Sequence, residues 1–182
     1  MPPITFSIDE LIPASPTEIA NHLLDPGRWQ AFQGVGSIPG IAKTEFETMT
    51  KSLVGTKIRI TNADDSTCLA TITEWTPNTR HTLKMTEFTG SLSGLVASIE
   101  QTLEFEPGKE GLTKVTQYVR ISPTSESAIP ALHDIALDLK MAMLLNSHSV
   151  EGTAFYRGFR GREVSLHKWA LCFASECADD CR

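Results

Sequence analysis

Basic side chains are in short supply in this chain: 16 lysines and arginines stand against 22 aspartates and glutamates, giving a formal net charge of -6 and a pI near 5.3. A protein that docks on nucleic acid phosphates needs a concentrated basic face, and the pattern contains none, so no nucleic acid partner is expected. Long apolar runs are missing as well. No stretch approaches the roughly 18 apolar residues of a membrane span, and the start, MPPITFSIDELIP, lacks the basic segment followed by an apolar run that marks a secretory signal. These absences read as a soluble, cytoplasmic protein. Cysteine is scarce and unevenly placed, with Cys68 alone in a strand-like run and Cys172, Cys177 and Cys181 crowded at the end. That is neither a disulfide framework nor a paired zinc-ligand spacing. HExxH, GxSxG and Walker signatures are missing; PGKEG has glycine and lysine but neither the spacing nor the following Ser or Thr of a phosphate loop. No metal and no cofactor is expected.

What the chain does have is legible periodicity. Its 182 residues, 41% of them hydrophobic, suffice for one domain with a real core. Residues 4 to 12 alternate, Ile4, Phe6 and Ile8 against Thr5, Ser7 and Asp9, which is the period of a half-buried strand. SPTEIANHLLDP then opens a helix: Ser15 as N-cap, Pro16 at the first helical position and Glu18 completing a capping box, until Asp25-Pro26-Gly27 stops it. A second short helix, Arg28 to Phe32, aims Trp29 and Phe32 at a core. From residue 42 the chain reads as antiparallel strands near 42–50, 56–62, 67–75, 80–88, 96–106 and 112–121, separated by the turn sequences NADDS, TPNTR and EPGKEG. After SPTSES the period returns to helical, with Leu132, Ile135, Ala136, Leu139 and Met143 forming a stripe on a helix from about Ile129 to His148. Joining the two periods predicts that Leu83, Met85, Ile99, Leu103, Val115, Val119, Leu132, Ile135, Leu139 and Met143 share one space between sheet and long helix. Residues 151 to 182 break the composition and read as an appendage to a domain of residues 1–150, with a weak helix at Val164 to Glu176.

This order, with the stretches IPASPTEIANHLLDPGRWQAF, IPGI, VGTKIRI, ITEWTPNTRHTLKM and TLEFEPGKEGLTKVTQ, resembles the START-like superfamily, also called SRPBCC, in its polyketide cyclase/dehydrase and lipid-transfer branch. The resemblance runs from about residue 4 to 148. It implies an α+β helix-grip fold: a strongly curved seven-stranded antiparallel sheet around a long C-terminal helix, two short helices after the first strand, and a hydrophobic cavity between sheet and helix. It also implies that the loop QGVGSIPGI lies near the cavity mouth, where it could act as a lid. The residues themselves argue against a phosphate cradle there. A dinucleotide fingerprint needs G-x-G-x-x-G between strand and helix, whereas here Pro39 holds the third glycine's place and the loop joins a helix to a strand.

The expected ligand set is Trp29, Phe32, Ile60, Ile72, Glu74, Leu83, Met85, Ile99, Gln101, Leu103, Gln117, Val119, Leu132, Ile135, Ala136 and Leu139, an apolar lining with a few polar groups to orient a ligand. Small residues, Ala70, Ala97 and Ala136, leave room for an enclosed pocket of several hundred cubic ångströms, on the order usual for such sites. His81 and Glu87 also fall inward by parity and are the candidates for acid/base catalysis; His133 reads as a solvated helix residue and Cys68 as a small buried one. Three functions follow. The chain is a carrier of a small hydrophobic or amphipathic ligand, a polyketide cyclase or dehydratase using His81 or Glu87, or a partner-contact module whose cavity is filled by side chains.

Overall fold

The computed structural model describes residues 1–149, so the appendage, its weak helix and its three cysteines lie outside the described residues. The alternation at the N terminus becomes β1 (Ile4–Ile12). Helix α1 (Pro16–Leu23) starts on the expected capping box, the Ser15 amide donating to the Glu18 carboxylate at 2.8 Å and the Glu18 amide to the Ser15 hydroxyl at 3.3 Å. Asp25 caps the short α2 (Pro26–Trp29) by accepting from the Gly27 amide at 3.2 Å. The strands follow as β2 (Ile41–Thr48), β3 (Lys57–Asn62), β4 (Thr67–Thr76), β5 (Arg80–Thr86), β6 (Val96–Pro107) and β7 (Thr113–Pro123), before the long α3 (Ile129–Ser149).

All seven strands join one antiparallel sheet in the order β1-β7-β6-β5-β4-β3-β2. Because β1 and β2 lie at opposite edges, the chain between them must cross the sheet, and α1, α2 and the loop after them make that crossing. The turns carry their own chemistry. Asp65 and Asn78 take positive φ, the left-handed conformation that Asn and Asp tolerate best, and the Asn78 amide oxygen accepts from the Thr17 hydroxyl at 2.8 Å, tying α1 to the β4–β5 turn.

One face of the sheet is wet. Arg59 pairs with Glu47 and Glu87, Arg80 with Glu74 and Glu104, and Lys114 with Glu106, all on this side. The other face is apolar and is closed in two places. Ile99, Val119 and Ile121 pack against Leu132, Ile135 and Ala136 of α3, with Met85, Leu139 and Met143 beside them. Leu103 and Val115 lie on the same face but pack with Phe105 against Ile19 and Leu23 of α1. The single space expected for all ten core residues is therefore divided: two helices, and not α3 alone, cover the curved sheet.

Three sheet residues depart from their parity. Between Ile72 and Glu74 the pairing of β4 with β5 slips by one residue, so Ile72 faces Leu83 while Glu74 faces Thr82. That bulge turns Glu74 to the wet side, where it accepts from the Thr82 hydroxyl at 3.1 Å and pairs with Arg80. Glu87 has φ 55, which ends the strand and directs its carboxylate to Arg59 at 3.0 Å. Ala97 sits at a second register slip, between Val96 and Ser98, and is exposed.

Candidate functional site

Between the part of the apolar face covered by α1 and the part covered by the first turns of α3, no side chain of the described residues fills the space over the sheet. A cavity of about 380 Å³ remains, open to solvent rather than enclosed. Its floor is the sheet: Ile60 of β3, Cys68 and Ala70 of β4, Leu83 and Met85 of β5, Ile99 and Gln101 of β6, Gln117 and Val119 of β7. The roof is the later half of α3, with Leu139, Met143 and Asn146. Trp29 and Phe32 close one end, the indole held by its N–H donating to the Leu23 carbonyl at 3.2 Å. Phe88 and Leu92, between β5 and β6, close a side.

The periodicity thus brings together Trp29, Phe32, Ile60, Leu83, Met85, Ile99, Gln101, Gln117, Val119 and Leu139. It does not bring in the rest of the expected set. Leu132, Ile135 and Ala136 sit on the first turns of α3, in one packed cluster with Ile99, Val119 and Ile121, and do not line the cavity. Leu103 is sealed under α1, and Ile72 is buried short of the hollow. Glu74 and Glu87 are on the wet face, for the reasons given above. His81 is inward but outside the cavity: 1% exposed, it stacks on Trp75 at 3.7 Å between ring centroids and meets Phe105 at 5.0 Å. Neither ring nitrogen has a side-chain partner among the described residues, and burial holds the imidazole below its ordinary range. His133 is exposed.

The polar groups within the hollow form a short chain. The Gln101 amide donates to the Gln117 carbonyl at 2.9 Å, and the Gln117 amide donates to Glu10 of β1 at 3.3 Å. The Gln101 oxygen has no protein partner among the described residues and so stays available to a guest. Cys68 offers no nucleophile, since burial pushes its thiol up to about 11.

The loop expected near the cavity mouth contributes Ile38 and Pro39 to the lining, with Ile41 following at the start of β2. Val35 and Ile38 exchange backbone hydrogen bonds at 2.9 and 3.0 Å, folding the loop back on itself. Two side chains of α3 hold it. Asp138 accepts from the Ser37 amide at 2.7 Å and from its hydroxyl at 2.8 Å; these bonds, the backbone one foremost, keep its carboxyl below the usual carboxylate range. Asn146 accepts from the Gln33 amide at 2.8 Å and donates to the Gln33 carbonyl at 2.9 Å. Gly36 has φ 58, and a Cβ there would run into the Asp138 carboxylate, so the position requires glycine. One amide of the loop, that of Ser37, does receive an anion, and it is the protein's own Asp138.

A curved antiparallel sheet, two short helices after its first strand and a long C-terminal helix over a cavity make this a helix-grip fold. No protein-family model matches the sequence, and no curated protein does. Solved structures do. A protein from Arthrobacter aurescens is 16% identical over 87% of this chain and 93% of its own, with a TM-score of 0.58. Ara h 8.0201 is 15% identical over 77% of this chain and 94% of its own, with a TM-score of 0.56. The major latex-like protein 151 of Panax ginseng is 14% identical over 78% and 95%, with a TM-score of 0.52. At such identities the likeness is one of fold.

Proposed function

We propose that this chain binds a small hydrophobic or amphipathic molecule, lipid-like or polyketide-like, in the hollow between the sheet and α3. The observation that carries the proposal is the cavity itself: about 380 Å³, floored by the sheet and lined mostly by apolar side chains, with one glutamine pair inside. Natural binding sites have this mixture, apolar area for affinity and a few polar groups for orientation. A partner-contact module would instead fill this space with side chains.

The cyclase or dehydratase reading has less to rest on. A general acid or base must come within hydrogen-bond reach of the proton it moves, and His81 and Glu87 do not line the cavity. His22, at the rim, has its ring against the Arg28 guanidinium at 2.8 Å, and the Cys68 thiol holds its proton. Native mass spectrometry of the full chain tests the binding reading. The expected result is a mass above that of the bare chain, lost on collisional activation; a bare chain that also takes up no apolar dye contradicts it.

A further inference from the structure

The charge at the cavity is uneven. Among the described residues that line it, Arg28 alone carries a formal charge, in a chain whose net charge is -6. Helix α2 places this arginine beside Trp29, at the end of the cavity opposite no carboxylate of the lining. His22 next to it does not add a second charge: desolvation first, and then the nearby guanidinium, hold the imidazole below its ordinary range. The guanidinium is partly engaged. Its Nε donates to Asp25 at 3.1 Å and its Nη1 lies 3.0 and 2.8 Å from the two ring nitrogens of His22. With 57% of its side chain exposed, it still presents donors to the solvent at the rim. Guanidinium is the side-chain group best matched to a carboxylate, because its N–H groups form a planar fork. Glu74 and Glu87 are on the wet face and do not oppose it; Glu10 shares the inner face of the sheet but is not part of the lining, and its carboxylate accepts from the Gln117 amide at 3.3 Å.

We infer that the cavity selects an amphipathic anion, an apolar body in the hollow with a carboxylate at the rim against Arg28. The inference rests on the binding function proposed above and narrows it to one class of guest. Gln101 suits a guest with a hydroxyl or carbonyl on its buried part, since the free amide oxygen and remaining N–H can meet either.

The test uses the full chain loaded with the neutral dye N-phenylnaphthylamine, displaced in turn by dodecanoate, dodecanol and dodecylammonium at neutral pH. Dodecanoate should displace the dye about fivefold more tightly than dodecanol, the scale of one half-exposed ion pair, and dodecylammonium should be weakest. Arg28→Gln should bring dodecanoate and dodecanol together, chiefly by weakening dodecanoate. Asp25→Asn, which removes the competing carboxylate and keeps a helix-capping side chain, should widen the gap. Added salt should narrow it. If dodecanol matches dodecanoate on the native chain, or if the gap survives Arg28→Gln, the anion assignment is wrong while the binding function stands. If no dye enters and none of the three chains is taken up, the binding function fails and the anion assignment falls with it.

Discussion

The two ends of the apolar face are built from the same alternation and behave as opposites. Under α1, Leu103, Phe105 and Val115 are 5%, 6% and 1% exposed and close onto Ile19 and Leu23 with the His81–Trp75 stack nearby. Under the later half of α3, Met85, Phe88, Leu139 and Met143 are only partly buried and face a hollow. What differs is the helix above. Helix α1 lays apolar side chains directly on the sheet, while α3 packs with it through Leu132, Ile135 and Ala136 and faces the hollow further along with Leu139 and Met143, beside the loop that Asp138 and Asn146 hold in place. A sheet's parity says which side chains turn inward; whether they meet another side chain or empty space depends on the covering element.

Truncations should separate the two ends most clearly. Phe105→Ala, at the filled end, is expected to cost about 3–5 kcal/mol, the usual loss for an aromatic removed from a tight core. Phe88→Ala, beside the hollow, should cost about 1–2 kcal/mol, since fewer contacts are lost where space already exists. Urea unfolding of both variants checks this, and equal losses would erase the distinction.

Acid should find the filled end as well. The buried imidazole of His81 resists a proton that the unfolded chain accepts near pH 6.5, so the unfolded state binds more protons as pH falls below that value. The His81 contribution is therefore complete above about pH 6.5 and declines as pH drops through it. His81→Phe, which keeps the stack on Trp75, should flatten the pH dependence of the unfolding midpoint between about pH 7 and 5 relative to the native chain. A parallel pair of curves would place the sensitivity elsewhere.

The smallest effect belongs to the loop. Asp138→Asn keeps an acceptor but loses the charge that the Ser37 amide and hydroxyl favour. Stopped-flow dye uptake is expected to quicken while the unfolding midpoint stays nearly the same. Unchanged uptake would mean that the loop does not control entry.

How far this was readable beforehand follows from where the signals sit. The strands and α1 announce themselves through turn residues and a capping box, which are local chemistry, and their bounds agree with the structure to within about two residues at most ends. Phase beyond a bulge is not local. The slip after Ile72 sends Glu74 outward and the positive φ of Glu87 ends its strand, and neither leaves a mark in the alternation. Ile38 does leave a mark: an isoleucine between serine and proline in a glycine loop needs somewhere to go, and it is 7% exposed in the cluster with α3. Arg28, Asn146 and Asp138 enter the site through tertiary pairing, which no period records.

If the hollow end is the binding site, filling it from Ala70 in its floor should weaken uptake. A tryptophan at this position, 1% exposed and lining the cavity, would project into the empty space. The measurement is a fluorescence titration of N-phenylnaphthylamine into the native chain, Ala70→Trp and, at the filled end, Leu103→Met, with cooperative unfolding confirmed for each. Saturable uptake is expected for the native chain and for Leu103→Met, with a loss of affinity of about tenfold or more in Ala70→Trp. Native-like uptake by a folded Ala70→Trp would contradict it.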